Sequence, residues 1–176
     1  MADIELTRTG RVWKFGDEIN TDLIMPQTAF RLPEEQQPPY VFSAIRPGWS
    51  ELVKPGDIII GGKNFGLGSS RPIGAVLRVC GIDGLVADSV NGLCLRTLVN
   101  FKLPAISCAG VSEAFEEGDI AHIDFLSGVV ENTTRHRTLQ GIPLPKLLGE
   151  IVIAGGIMPM LIAEGYVDSE RSKSVA

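Results

Sequence analysis

GGKNFGLGSSRPIGAVLRVCGIDGLVADSVNGLCLRTLVNFKLPAISCAG, residues 61–110, carries the architecture of this chain. Pro72 follows Ser69-Ser70-Arg71 and suits the first position of a helix with a serine N-cap, and Gly81 suits its left-handed C-terminal cap. A helix from about Pro72 to Cys80 is predicted. Leu85 to Ala87 reads as a short strand, Asp88 or Ser89 as the cap of a second helix running to about Asn100, and Pro104 to Cys108 as a further strand. Just upstream, Asp57 to Ile60 is a β-branched run bounded by Gly56 and by Gly61-Gly62, the pattern of a buried strand. Strands alternating with helices over such short connections imply an α/β layer with parallel pairing.

The flanks add a different pattern. Toward the N-terminus, Arg11 to Phe15 reads as a strand, followed by the turn Gly16-Asp17 and the segment EINTDLIMP. Leu32 to Pro39, LPEEQQPP, is too rich in proline and polar residues for a regular element and predicts an exposed, mobile loop spanning about residues 27–40. Beyond the central stretch, EEGDIAHIDFLSGVVEN alternates like an antiparallel hairpin, with turns at Gly118-Asp119 and Ser127-Gly128. Pro145 to Ala154 predicts a closing helix stopped by Gly155-Gly156, and the last residues, about 168–176, read as a flexible tail. No repeat or low-complexity tract interrupts the chain, so residues 1–176 are expected to form one mixed α/β domain.

Composition narrows the function classes. The 176 residues are 44% hydrophobic and 21% charged, with 16 Lys and Arg against 21 Asp and Glu and a formal net charge of −5. Without a Lys/Arg cluster, that balance argues against nucleic acid and against electrostatic attachment to a membrane. The longest apolar stretch, Ile151 to Ala163, has 13 residues broken by Gly155, Gly156 and Pro159. A bilayer span needs about 20. The N-terminus MADIELTRTGRVWKF lacks the apolar core of a secretory signal, so a cytoplasmic location is expected. Cys80, Cys94 and Cys108 stand 14 residues apart, an odd set that makes a poor disulfide framework but poses the question of an iron–sulfur cluster.

GGKNFGLGSSR runs from a strand into a helix start, a geometry that offers backbone N–H groups and the positive end of a helix dipole to an anion. Gly66-Leu67-Gly68 is half of a dinucleotide fingerprint whose third glycine position holds Arg71, and the Gly-Lys-Ser/Thr of a P-loop is absent. Glycines that only shape a tight turn, with serine as a plain cap, account for the same spacing. Two adjacent serines and an arginine together point further. Arg71 brings a bidentate fork for a carboxylate, and its charge favours a nearby serine alkoxide. A nucleophile-elbow hydrolase would need Gly-x-Ser-x-Gly with a histidine partner. His122 and His136 fall instead in or beside the hairpin, at no metal-ligand spacing. Asp22, after Thr21 in a turn, reads locally as a cap.

GRVWKFGDEINTDLIMP, GDIIIGGKNFGLGSSRP and, less closely, ADSVNGLCLRTLVNFKLP resemble the small subunit of 3-isopropylmalate dehydratase, in the aconitase superfamily, with block order and separation matching from about Gly10 to Gly165. The resemblance implies the swivelling β/β/α domain of aconitases, with a mixed sheet. It also implies a hydro-lyase subunit of leucine biosynthesis, active only with a large subunit that carries a 4Fe-4S cluster, and a small hydroxydicarboxylate as substrate. By position, Ser69 matches the base, Ser70 a neighbouring donor, Gly68 part of the same substrate-binding loop, Arg71 the carboxylate clamp, and Asp22 an aspartate that supports a histidine of the cluster-bearing portion. Phe30 and Arg31 align with the loop that selects the substrate: Arg31 suits a distal carboxylate, Phe30 an alkyl group.

The sequence departs from the family at Pro72-Ile73, where an acidic residue and then His or Gln usually follow Ser-Ser-Arg. Related dehydratases acting on homoaconitate, citraconate or methylmalate, or dimethylmalate therefore stay open, as does a non-catalytic anion-binding module of the same fold. In the superfamily the cluster cysteines belong to the large subunit, and this chain is expected to hold no cofactor or metal itself. Its three cysteines read as small buried hydrophobes.

Overall fold

The structure, a computed structural model, describes residues 5–168. Seven strands form one sheet: β1 (Thr7–Lys14), β2 (Asp57–Gly61), β3 (Ile82–Ala87), β4 (Ala105–Ser107), β5 (Ile120–Asp124), β6 (Val129–Asn132) and β7 (Arg137–Gln140), in the order β4-β3-β2-β1-β5-β6-β7. β1 to β4 pair in parallel, whereas β5 lies antiparallel to β1 and continues through β6 to β7. The sheet is mixed and curls on itself. Where the chain leaves β7, the Ile142 N–H donates to the Ser107 carbonyl at 2.8 Å, bringing the last strand back to the far edge of the parallel half.

The helices are α1 (Thr21–Ile24), α2 (Gln27–Phe30), α3 (Trp49–Leu52), α4 (Ile73–Cys80), α5 (Gly92–Asn100), α6 (Val111–Ala114), α7 (Lys146–Ile153) and α8 (Ile157–Ala163). In β2, DIIIG, every residue is buried, and successive isoleucines enter opposite cores because side chains alternate across a strand. Ile59 joins Trp13, Phe15, Phe42 and Trp49 under α4 and α5. Ile58 and Ile60 face the other way, against Val86, Ile106, Phe115 and Val152. Burial on both faces is the habit of parallel strands covered on each side.

Several local expectations are corrected. The first long helix starts at Ile73 rather than Pro72, and no serine caps it. Proline disfavours the helical region for Arg71 before it. Pro72 itself sits at ψ 50, outside the helix; it has no N–H, and the Ile73 N–H is bonded to the Arg71 carbonyl, so neither residue offers a donor to an anion. The next helix is capped by Asn91, whose side chain accepts the Leu93 N–H, and not by Asp88 or Ser89. Asp88 instead accepts from the Ser112 hydroxyl and Ser89 from the Asn64 N–H. LPEEQQPP holds two 3-10 turns, Glu34–Gln36 and Pro38–Tyr40, about a buried Gln37 whose side-chain amide donates to the Leu32 carbonyl. β7 and α8 are present in addition to the elements the sequence predicts. No single helix among the described residues is long and apolar enough to cross a membrane; α7 and α8 meet at 85°. The tail expected near 168–176 lies, apart from Asp168, outside the described residues.

Candidate active site

Two segments far apart in sequence meet beyond the ends of β1 and β2. Asp17 Oδ1 accepts the Lys63 N–H, the Glu18 N–H donates to the Lys63 carbonyl, and the Gly66 N–H donates to the Ile19 carbonyl at 2.7 Å. Asn20 then pairs with Leu67 as a parallel bridge, and the Thr21 N–H donates to the Leu67 carbonyl at 2.7 Å. The second strip is tied from behind as well, because Phe65 bridges Val90 and is fully buried. Asn20 caps α1 through its side-chain oxygen, which accepts the Leu23 N–H at 2.9 Å. These contacts align NTD and GLGSSR side by side.

Within that frame the Ser69 N–H donates to Thr21 Oγ1 at 3.1 Å, and the two hydroxyl oxygens are 3.4 Å apart. Ser69 and Ser70 are exposed; Thr21 is buried. Arg71 folds back over α1. Its Nη1 donates to the Met25 carbonyl at 2.6 Å and to the Thr21 carbonyl at 3.3 Å, and its Nη2 lies 2.6 Å from Asp22 Oδ1. With the Asp22 side chain 70% exposed and that of Arg71 14% exposed, solvent screening leaves the ion pair worth about 1 kcal/mol or less. The two carbonyls are the firmer anchors. A guanidinium has five N–H donors, so an Nε and an Nη2 hydrogen remain beyond these three contacts. A carboxylate accepts such a pair.

Asp22, Gly68, Ser69 and Ser70 are thus brought together as exposed positions beside the largely covered Arg71, on a buried frame. Among the described residues no hydrogen bond or ion pair joins the Phe30 or Arg31 side chain to residues 68–71; Arg31 lines an open cavity of about 380 Å³ with Gln27 and Thr28, and Phe30 is 47% exposed. Thr21 and the Met25 carbonyl are the partners that local reading missed. In the sequence Thr21 carries no signal beyond preceding an acidic residue, and only the β1–β2 pairing reveals what it faces.

The cysteines do not form a cluster site. All three are buried free thiols, and burial pushes Cys80 and Cys94 up to about 12 and raises Cys108, where Asp88 adds to the effect. Among the described residues no group of three or more His, Cys, Asp or Glu side chains is arranged to hold a metal ion. The donor set here does not fit an iron–sulfur centre. His122 is a strand residue whose Nδ1 lies 2.7 Å from Thr9 Oγ1.

Comparison with known proteins shows what the chain is similar to. The chain is 43% identical over 157 residues to the isopropylmalate/citramalate isomerase small subunit of Methanocaldococcus jannaschii, covering 86% of this chain and 92% of that one. It is 39% identical over 159 residues to a 3-isopropylmalate dehydratase small subunit from Thermotoga maritima, covering 89% and 95%. A 3-isopropylmalate dehydratase small subunit from Methanopyrus kandleri is 36% identical over 158 residues, covering 89% and 93%. The crystal structure of a 3-isopropylmalate dehydratase from Methanocaldococcus jannaschii superposes with a TM-score of 0.84 at 29% identity, over 94% of this chain and 99% of that one. No protein-family model matches.

Proposed function

The chain belongs to the family of 3-isopropylmalate dehydratase small subunits, and on that premise we propose that residues 68–71, with Thr21 and Asp22, supply the proton-transferring and carboxylate-holding half of an active site that a large subunit completes. The observation that carries this is the convergence of an exposed Ser69 with an arginine whose guanidinium is anchored by two backbone carbonyls yet keeps N–H donors to spare.

The reaction removes water from a small hydroxydicarboxylate and returns it with the hydroxyl on the neighbouring carbon. It needs a base for a proton on a carbon next to a carboxylate, and a site that draws off the hydroxyl. Ser69, having given its proton to solvent, takes the C–H proton as an alkoxide; the electron pair forms the double bond as hydroxide leaves, and the same hydroxyl gives the proton back on rehydration. Arg71 binds a substrate carboxylate with its remaining N–H pair, and Ser70 adds a donor beside it. Asp22 holds Nη2 in the isolated chain and is exposed enough to meet a histidine of the large subunit. Departure of the hydroxyl is the chemistry expected of the 4Fe-4S cluster on that subunit. The substrate-selecting role falls to Phe30 and Arg31, whose exposure leaves them accessible to the assembled site. On the same reading the chain works in the cytoplasm; the acidic balance without a Lys/Arg cluster supports a partner that is neither nucleic acid nor membrane.

Within the same reaction class, a methylmalate-type substrate such as citramalate is the second reading. It is favoured by Pro72-Ile73 after the arginine and by the dual name of the relative from Methanocaldococcus jannaschii. The test mixes this chain with a cluster-loaded large subunit and follows ultraviolet absorbance of the unsaturated acid across a panel of hydroxydicarboxylates. Ser69→Ala is expected to lower turnover about a hundredfold or more while the complex still elutes intact. Near-normal turnover by Ser69→Ala removes this serine as the base.

A further inference from the structure

Thr21 is 2% exposed, yet its hydroxyl lies 3.4 Å from that of the proposed base. Its backbone is held at both ends: the N–H donates to the Leu67 carbonyl at 2.7 Å, and its own carbonyl accepts the Met25 N–H at 2.9 Å and Arg71 Nη1 at 3.3 Å. A β-branched side chain on a fixed backbone has little rotameric freedom. Oγ1 accepts the Ser69 N–H at 3.1 Å, so its own hydrogen must point elsewhere, and Ser69 Oγ lies 3.4 Å away to accept it. The approach depends on Gly68, at φ +115, because a Cβ there would stand 2.6 Å from Thr21 Oγ1.

We propose that Thr21 is a positioning residue for Ser69, its buried hydroxyl fixing the serine through the N–H and donating to Oγ once that serine has lost its proton. This rests on the reading of Ser69 as the base. Thr21 keeps its proton throughout: Ser69 releases one to solvent, collects one from the substrate carbon and returns it, while the threonine hydrogen stays on its oxygen and stabilises the alkoxide between those events. The contact is longer than a strong hydrogen bond while Ser69 is neutral, and a negative oxygen shortens and strengthens it.

The experiment compares Thr21→Val, which keeps the shape and removes the hydroxyl, with Thr21→Ser, which keeps the hydroxyl, each assembled with the large subunit. Thr21→Val is expected to lower kcat about 10- to 100-fold with KM nearly unchanged, and to move the rising, acid-side limb of the kcat–pH profile up by about one unit. Thr21→Ser is expected to recover most of that loss, and adding Thr21→Val to Ser69→Ala to cost little more than Ser69→Ala alone. An unchanged kcat and pH profile in Thr21→Val overturns the proposal. So does equal impairment of both Thr21 variants, or a fall confined to thermal stability and complex formation with the pH limb in place. If Ser69→Ala turns over normally, the base assignment itself falls, whatever Thr21→Val shows. If Ser69→Ala is inactive and Thr21→Val is not, only the role of Thr21 falls.

Discussion

Gly66 stands where the loop of serines turns over α5, at φ +81, and a Cβ built on it would overlap Cys94 Sγ. Cys94 is 3% exposed and packed in the core, so it has no room to withdraw. Gly66→Ala therefore combines left-handed strain with overpacking, and a stability loss on the order of 2 kcal/mol or more is expected. Circular dichroism of the melting transition checks it, and a melting temperature equal to that of the parent chain would mean that α5 yields. Ser69, Ser70 and Arg71 stand out because three chemically capable side chains follow a glycine-rich turn, and Asp22 gains a role through resemblance. That Arg71 holds Asp22, and that Thr21 faces Ser69 across 48 residues of chain, follows from strand pairing, which no local pattern encodes.

Asp57 opens β2 and fastens it to β1. Burial alone would push this carboxyl up, but hydrogen bonds from Arg11, the Lys54 N–H and the Trp13 indole outweigh that and hold it below its ordinary value. Asp119, bonded by the Glu116 N–H, Asn132 and Arg135, is lowered in the same way. A carboxyl whose folded value is depressed stabilises the native state above its unfolded value, near 3.9, and loses that contribution as pH falls through the folded value. Chemical denaturation is thus expected to show stability nearly flat from about pH 8 to 5 and dropping below about 4. Asp57→Asn should be less stable at pH 7 and have a shallower acid limb; an identical limb would show that Asp57 does not contribute. Elements with a strong internal pattern, such as DIIIG in β2 and the β5–β6 hairpin, were readable in the sequence. β7 was not, since RTLQ is an exposed edge strand with no apolar alternation, defined only by its partner β6. α8 was obscured by Pro159, which sits in the first turn of that helix, where a missing N–H costs nothing. The helix caps failed for a related reason: serines and aspartates that suit a cap are taken by tertiary partners, and Asn91 caps α5 instead.

The molecule as a whole presents α1, α2 and the segment through Tyr40 on one side of the site, with Arg31 and residues 33–36 exposed. We propose that LPEEQQPP, Leu32 to Pro39, moves in the isolated chain and orders on assembly with the large subunit. A glutamate-specific protease should then cut after Glu34 or Glu35 at least about tenfold more slowly in the complex, and equal rates before and after assembly contradict this. Such a cut would fall between Thr21 and Ser69, the two sides of the proposed site. Those sides are joined laterally, by Asn20 against Leu67, Ile19 against Gly66 and, beneath them, Val12 and Trp13 of β1 against Ile58 and Ile59 of β2. The peptide connecting them is a tether and not a hinge. Severing it leaves two fragments that share one sheet, so the site is a property of their association, and a nicked chain is in effect a two-piece protein.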